Sequence, residues 1–395
     1  RLVVLTEISP VSALAVPTPP YMQDESLEIF ARSAGRFLDD HCGPEELAAW
    51  RKAGSSPPDL WKKAGAAGLL GVTVPPEYGG AGADFRFEAV LIEQFAARNA
   101  LNFAIPLHSA VILPYIVEYG TEAQKCRYLP SAVAGETIFA IAMTEPSAGS
   151  DLQGMKTTAV RDGDDFVING QKTFISNGLL ASTVIVAAKT NSSAGAKGIS
   201  LFLVDTNTPG FERGPLLHKM GQEARDTVEL FFSDMRIPGD ALLGEEGEGF
   251  AMLMKNLPQE RLVIAWQAVA MIEAALTATL GYVRERKAFG RQLLDFQNSQ
   301  FKLAECKTEA TIAKVFLHHC TERLLAGTLD AATASMAKYW ITEAQGRIID
   351  QCVQLHGGYG YMDEYPISQM YRDARGYRIY GGANEIMKLL IARSL

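Results

Sequence analysis

The chain has 395 residues, 48% of them hydrophobic and 21% charged, with a formal net charge of −8. These values suit a water-soluble protein with a sizeable core and argue against a nucleic-acid binder, because no basic block offsets the acidity. No apolar run reaches the roughly 18 uncharged residues of a membrane span, and five scattered cysteines without a CxxC pair give no disulfide framework or zinc site.

Residues 1–20 lack a basic start and a continuous apolar core, and read as a tail outside the fold. Between 21 and 137 the period is helical. LEIFARSAGRFLDDH, PDLWKKAGAAGLLG and FEAVLIEQFAARNA repeat apolar residues every three or four positions, with Gly and Pro breaks between them. From 138 to 244 the period drops to two in FVINGQKTFISN, STVIVAAKT, GISLFLVDT and VELFFSDMRI. From 245 to 395 helical patterns return, over about 261–287, 299–326, 330–356 and 384–393. The order predicts an α+β fold of three domains, 21–137, 138–244 and 245–395, and the absence of GxGxxG after a strand argues against a doubly wound nucleotide fold.

Several stretches are richer in polar groups and glycine than their positions require. IAMTEPSAGSD (141–151) offers free amides and the Thr144 and Ser150 hydroxyls, which suit a polar ring or phosphates; alone it also reads as a turn with Glu145 in solvent. FISN (174–177) ends a strand on an aromatic residue able to stack. HKMG (218–221) has no second histidine at ligand spacing, and His318 and His319 point to different helix faces, so no metal site is expected. RKAFG (286–290) with Gln297, and QLHGGYGY (354–361), combine a basic group and amides with glycines beyond the needs of a helix cap. In NLPQERLVIAW (256–266), Glu260 and Arg261 stand at a predicted helix start, where a carboxylate also suits the helix dipole.

Taken together, TEPSAGSD, FISN, HKMG with the later TVELFF, RKAFG with Gln297, QLHGGYGY and YGGANEI occur in an order that resembles the acyl-CoA dehydrogenase family over about 24–395. The PQER and YGG wording is most similar to the long-chain branch. The resemblance implies an N-terminal helical domain, a middle β-domain and a C-terminal four-helix bundle. It also implies FAD as cofactor and oxidation of a fatty acyl-CoA, medium- or long-chain or branched, to its trans-2-enoyl thioester. By the same resemblance, Ile141, Ala142, Met143, Thr144, Ser150, Phe174, Ile175 and Ser176 would line the flavin ring, with Ser150 also near the substrate. Arg286, Phe289, Gln297 and the loop of Gln354, Leu355, His356, Gly357 and Gly358 would grip the FAD of a neighbouring subunit, in a dimer of dimers. Ala383, Asn384 and Glu385 would close over the cofactor, although the family commonly carries Thr where Ala383 stands.

Short- and medium-chain members carry their catalytic glutamate directly after the tyrosine of the last motif, where this chain has Gly381. Long-chain and isovaleryl members instead place it before an arginine in the bundle, the position of Glu260. Glu260 is therefore the expected base, framed by Pro258, Gln259 and Arg261, with Gly381 and Gly382 presented to the thioester carbonyl. A carboxylate can take so weakly acidic a proton only if burial raises its pKa and the developing oxyanion is stabilised. The resemblance further implies electron-transfer flavoprotein as acceptor, and a mitochondrial matrix location in a eukaryote or a cytoplasmic one in a bacterium.

Overall fold

The computed structural model describes residues 16–395, so most of the expected tail lies outside the described residues. Val16, within that tail, already lies against the helical core, as does Met22 just after it.

Six helices form the first layer. They are α1 (Glu25–His41), α2 (Pro44–Ala53), α3 (Pro58–Ala66), α4 (Phe85–Ala97), α5 (Leu113–Tyr119) and α6 (Glu122–Val133). Their starts follow local chemistry. Asp24 caps α1 by accepting from Ser26 N–H, proline opens α2 and α3, and Thr121 and Gln124 close a capping box on α6. A π-helical segment, Leu107–Ile112, runs directly into α5.

The middle layer holds β1 (Phe139–Ala142), β2 (Thr158–Asp162), β3 (Asp165–Ser176), β4 (Thr183–Lys189), β5 (Ile199–Asp205), β6 (Phe211–Arg213), β7 (Thr227–Pro238) and β8 (Leu242–Leu243). They pair in the order β6-β7-β3-β2-β4-β5-β8, with β1 parallel to β4. Strands β4 and β5 are buried on both faces. Alternate residues Ile185, Ala187, Leu201 and Leu203 pack on Ile112, Tyr115 and Leu129 of the helical layer. Their neighbours Val184, Val186, Phe202 and Val204 pack on Phe166, Ile168 and Leu230 within the β-domain.

The last layer contains α7 (Gly249–Glu285), a hairpin of β9 (Lys287–Ala288) and β10 (Arg291–Gln292), then α8 (Gln297–Leu325), α9 (Ala331–His356), α10 (Pro366–Ala374) and α11 (Asn384–Ala392). Helix α7 starts at Gly249 rather than near 261, with Pro258 inside it. Proline removes one backbone donor there, yet the helix continues, with Met252, Leu253, Asn256 and Glu260 buried along one face. Among the described residues α7 alone is long and apolar enough to cross a membrane, but 78% of its apolar window is buried in the protein. It is the core helix, packed on α4, α8 and α9, with Trp266 wholly enclosed and donating from Nε1 to Thr321 Oγ1 at 2.9 Å.

Candidate active site

Glu260 lies about three turns inside α7, too far from the first turn for the helix dipole to account for it. Its side chain is 6% exposed. Burial raises its pKa to about 7, against the lowering effects of a hydrogen bond from Tyr115 and the charge of Arg261. The Tyr115 hydroxyl, from α5, donates to Glu260 Oε1 at 2.6 Å. Gln259, the residue before Glu260, is held by the segment leading into α5, since its Nε2 donates to the Ala110 carbonyl at 2.9 Å. Ala110 lies in the π-helical segment, where the wider turn frees carbonyls from the usual ladder. Arg261 is also buried, with Nη1 donating to Ser335 Oγ on α9 at 3.3 Å.

The glycine turn near 381 meets the same face of α7. A Cβ on Gly381 would fall 2.2 Å from Ile264 Cδ1, and Ile264 lies one turn beyond Glu260. Gly381 and Gly382 both adopt positive φ, +67° and +92°. The carbonyl of Gly382 accepts from Lys338 Nζ at 2.7 Å, and Tyr380 Oη accepts from Gln222 Nε2 at 3.1 Å. Ala383 is the N-cap of α11 and is half-buried, while Glu385 is exposed. Asn384 differs from expectation. Its carboxamide is turned inward, accepting from Lys338 at 2.9 Å and donating to Thr342 Oγ1 at 3.0 Å and Glu343 Oε1 at 2.9 Å. Only its backbone remains for a cofactor.

A second group gathers at the edge of the β-domain. Thr173 N–H donates to the Thr144 carbonyl at 2.9 Å, tying the 141–151 loop to the end of β3. Lys172, wholly buried, donates from Nζ to Glu145 Oε1 at 2.8 Å and to the Met143 carbonyl at 3.1 Å. Glu145 is thus not solvated, as a simple turn would have it. Its carboxylate also accepts from the N–H groups of Lys156 and Thr157. Burial raises the Glu145 pKa, but the Lys172 charge and those amides outweigh it and hold the carboxyl below its usual range. Beside this anchor Phe174 stands 68% exposed with φ +59°, at an irregularity between β3 and β7. A bulky residue held in that conformation with its ring in solvent marks a surface built to be covered. Ala142 and Ile175 point into the β-core and can offer only backbone; Thr144 and Ser176 are half-buried and Ser150 is exposed. Ile141 and Met143 pack on the cluster that contains Tyr115, which links this group to Glu260.

A third group lies elsewhere. Arg286, Gln354, Leu355, His356, Gly357 and Gly358 line one groove of about 690 Å³ with Tyr282 and Tyr359. Tyr282 stacks on His356 at 4.4 Å between ring centroids and donates to its carbonyl at 3.1 Å. A Cβ on Gly357 or Gly358 would meet only open space. Phe289 sits at the tip of the β9–β10 hairpin, 95% exposed with φ +51°, and Gln297 opens α8 nearby, also exposed. Along α9, Gln354 stands about 24 Å beyond Lys338, and along α7 Arg286 stands about 39 Å beyond Glu260.

HKMG has a structural task. A Cβ on Gly221 would lie 2.5 Å from the Arg372 backbone, so the loop docks against α10 through that glycine. No group of metal-ligating side chains occurs among the described residues.

Three family models match in chain order: acyl-CoA dehydrogenase, N-terminal domain over 24–136, middle domain over 140–235 and C-terminal domain over 247–395. The chain belongs to the acyl-CoA dehydrogenase family. It is 50% identical over 370 residues to the long-chain specific acyl-CoA dehydrogenase, mitochondrial, of Rattus norvegicus, covering 93% of this chain and 86% of that one. It superposes with a TM-score of 0.93 and 45% identity on an acyl-CoA dehydrogenase from Geobacillus kaustophilus, covering 95% and 99% of the two chains. A glutaryl-CoA dehydrogenase from Mycobacterium smegmatis, solved with FADH2, matches with a TM-score of 0.90 and 28% identity over 97% of each chain.

Acyl-CoA dehydrogenases are FAD-dependent oxidoreductases, and the residues present fit that cofactor. The exposed Phe174 ring is suited to stack on a flavin, and the groove with Arg286, Gln354 and two open glycines suits a pyrophosphate. Tyr115, Lys172, Lys338, Gln222 and Ile264 are absent from the sequence reading of the site. Each contacts its partner across the fold rather than within a motif, and a lone buried lysine or tyrosine carries no local pattern.

Proposed function

We propose that this acyl-CoA dehydrogenase uses Glu260 as the base that removes the Cα proton of a fatty acyl-CoA, yielding the trans-2-enoyl thioester. The observation that carries this is the placement of a buried carboxyl with a pKa near 7 one helical turn from Ile264, against which the Gly381 turn packs. Such a carboxyl is a stronger base than an exposed glutamate, yet substantially ionised at neutral pH. Tyr115 fixes Oε1 and leaves Oε2 for the substrate. As the proton leaves, charge moves to the thioester oxygen, where the Gly381 N–H is the donor this chain supplies. Bound FAD supplies the acceptor for the hydride from Cβ. Pro258, Gln259 and Arg261 hold the base in register, Arg261 through Ser335 and Gln259 through Ala110.

The relative named for long-chain acyl-CoA supports a medium- or long-chain, or branched, fatty acyl substrate. The separation of the Arg286 groove from Glu260 supports an oligomer in which that groove, with Phe289 and Gln297, holds the cofactor of a neighbouring subunit as a dimer of dimers. Electron-transfer flavoprotein is the acceptor in this reading. The location is the mitochondrial matrix in a eukaryote, as the rat relative's name supports, and the cytoplasm in a bacterium.

The test is anaerobic mixing of the yellow protein with a panel of acyl-CoAs, short to long and straight or branched. Bleaching of the flavin band by at least one fatty acyl-CoA is expected. A protein that cannot be loaded with FAD, or that no acyl-CoA bleaches, would contradict the reading.

A further inference from the structure

Lys338 is a second buried cation beside the site, and the proposed reaction gives it no task. It lies on α9 with none of its surface exposed. Its Nζ donates to the Gly382 carbonyl at 2.7 Å and to Asn384 Oδ1 at 2.9 Å, and neither acceptor carries charge. Among the described residues its hydrogen bonds lead to a carboxylate through Asn384, whose Nδ2 donates to Glu343 at 2.9 Å. One turn earlier on α9, Ser335 accepts from Arg261. Burying an ammonium without a contacting carboxylate is costly. A methionine of similar length would fill the same space between α9 and α11 without that cost, so packing alone does not explain a lysine here.

What Lys338 holds is a turn with little stiffness of its own. Gly381 and Gly382 adopt positive φ in succession, and two adjacent glycines have weak conformational preferences. The turn is anchored from outside at both ends, by Gln222 on Tyr380 and by Lys338 on the Gly382 carbonyl.

We propose that Lys338 is a positioning residue for the reaction. It fixes the 381–382 turn so that the Gly381 N–H meets the thioester oxygen, and its charge favours the enolate formed there as the Cα proton passes to Glu260. This rests on the base assignment above. Burial, helped by the Arg261 charge, depresses the Lys338 ammonium to about 8, while Glu343 and Glu385 act to raise it. The clamp is therefore charged at neutral pH and weakens as pH rises past 8.

The test compares wild-type, Lys338→Met, Lys338→Arg and Glu260→Gln holoenzymes. Three quantities are read: FAD content, the rate of flavin reduction at saturating acyl-CoA, and the pH at which a bound analogue ionises at Cα. The analogue carries sulfur in place of the Cβ methylene, and its ionisation is followed by long-wavelength absorbance. Lys338→Met is expected to keep its FAD, to reduce about 10- to 100-fold more slowly, and to shift the analogue's ionisation upward by about one pH unit or more. Lys338→Arg, which keeps the charge, is expected to stay near wild type. Wild-type rate and ionisation in Lys338→Met, with Glu260→Gln slow, would overturn this inference alone. Wild-type reduction by Glu260→Gln would instead overturn the base assignment. If Lys338→Met does not hold FAD, Lys338→Gln carries the same measurements. Failure of both to fold or bind FAD would assign Lys338 to stability and also overturn the inference.

Discussion

The Tyr115 hydroxyl donates to Glu260 Oε1 at 2.6 Å, joining two buried residues that lie in different domains of the chain. The bond opposes the desolvation that raises the carboxyl, so it sets how basic Glu260 is as well as where it points. As the proposed base Glu260 acts when ionised, so flavin reduction at limiting acyl-CoA is expected to rise with pH through about 7 and to decline again once the Lys338 clamp weakens past about 8. Tyr115→Phe removes a stabiliser of the ionised form. Its rising limb is expected to move to higher pH by roughly one unit, narrowing the active pH window below the Lys338 transition. A limb that stays in place or moves to lower pH would refute this role.

The groove around Arg286 offers a test of cofactor binding that spares the fold. Arg286→Ala removes a charge-assisted contact and is expected to weaken FAD about ten- to a hundredfold, with weaker assembly at low concentration. Gly358→Leu points into open space, so the apoprotein should melt at the wild-type temperature while FAD binding falls. Equilibrium dialysis with thermal melts measures both. FAD held as tightly as in wild type by either variant would contradict the placement.

Lys172 and Glu145 form an ion pair enclosed on all sides. Lys172→Met leaves the Glu145 carboxylate buried without its cation, which is expected to destabilise by about 3–5 kcal/mol. Adding Glu145→Gln should recover part of that loss, because the uncompensated charge is gone. Denaturant melts of the single and double variants decide it, and a Lys172→Met protein as stable as wild type would count against the pair as the anchor of the 141–151 loop.

Much of the architecture was legible because the periods are clean. The strands around Phe166 and Leu230 alternate, those around Val184 and Phe202 are short unbroken apolar runs, and the helices containing Phe37, Ile92 and Ile341 repeat every three or four residues. Short elements were not. Helices α2, α5, α6 and α10 and strands β1 and β2 are brief, and in all but the four-residue β1 proline or polar residues blur the period. The start of α7 differs because Lys255, Asn256 and Pro258 look like a break, whereas the buried face of Met252, Leu253, Asn256 and Glu260 runs through them. Glu260 becomes the candidate base only through the family resemblance, which places the alternative carboxylate at Gly381, where this chain carries none. Tyr115 could not be found that way, since it is 145 residues distant on a short helix whose contact with α7 no local period signals. The same holds for Lys172 and Lys338, which a sequence reading places at the surface because lysines are seldom enclosed.

Moving the base is harder than motif comparison suggests. A side chain at 381 strikes Ile264 Cδ1, and the residue there must hold φ near +67°. Glu260→Gly with Gly381→Glu is therefore expected to recover little activity by itself, and more once Ile264→Ala clears the space. Stopped-flow reduction with shorter acyl-CoAs measures the series. Equal rates with and without the Ile264 change would show that the contact is not what obstructs the second position.

The assignment of Glu260 is tested most directly by the anaerobic stopped-flow reduction of Glu260→Gln holoenzyme. Glutamine keeps the shape and can still pair with Tyr115, but it cannot accept the Cα proton. Reduction by acyl-CoA is expected to slow by roughly 10²–10⁴-fold with FAD content unchanged. Reduction at the wild-type rate would contradict the assignment and place the base elsewhere.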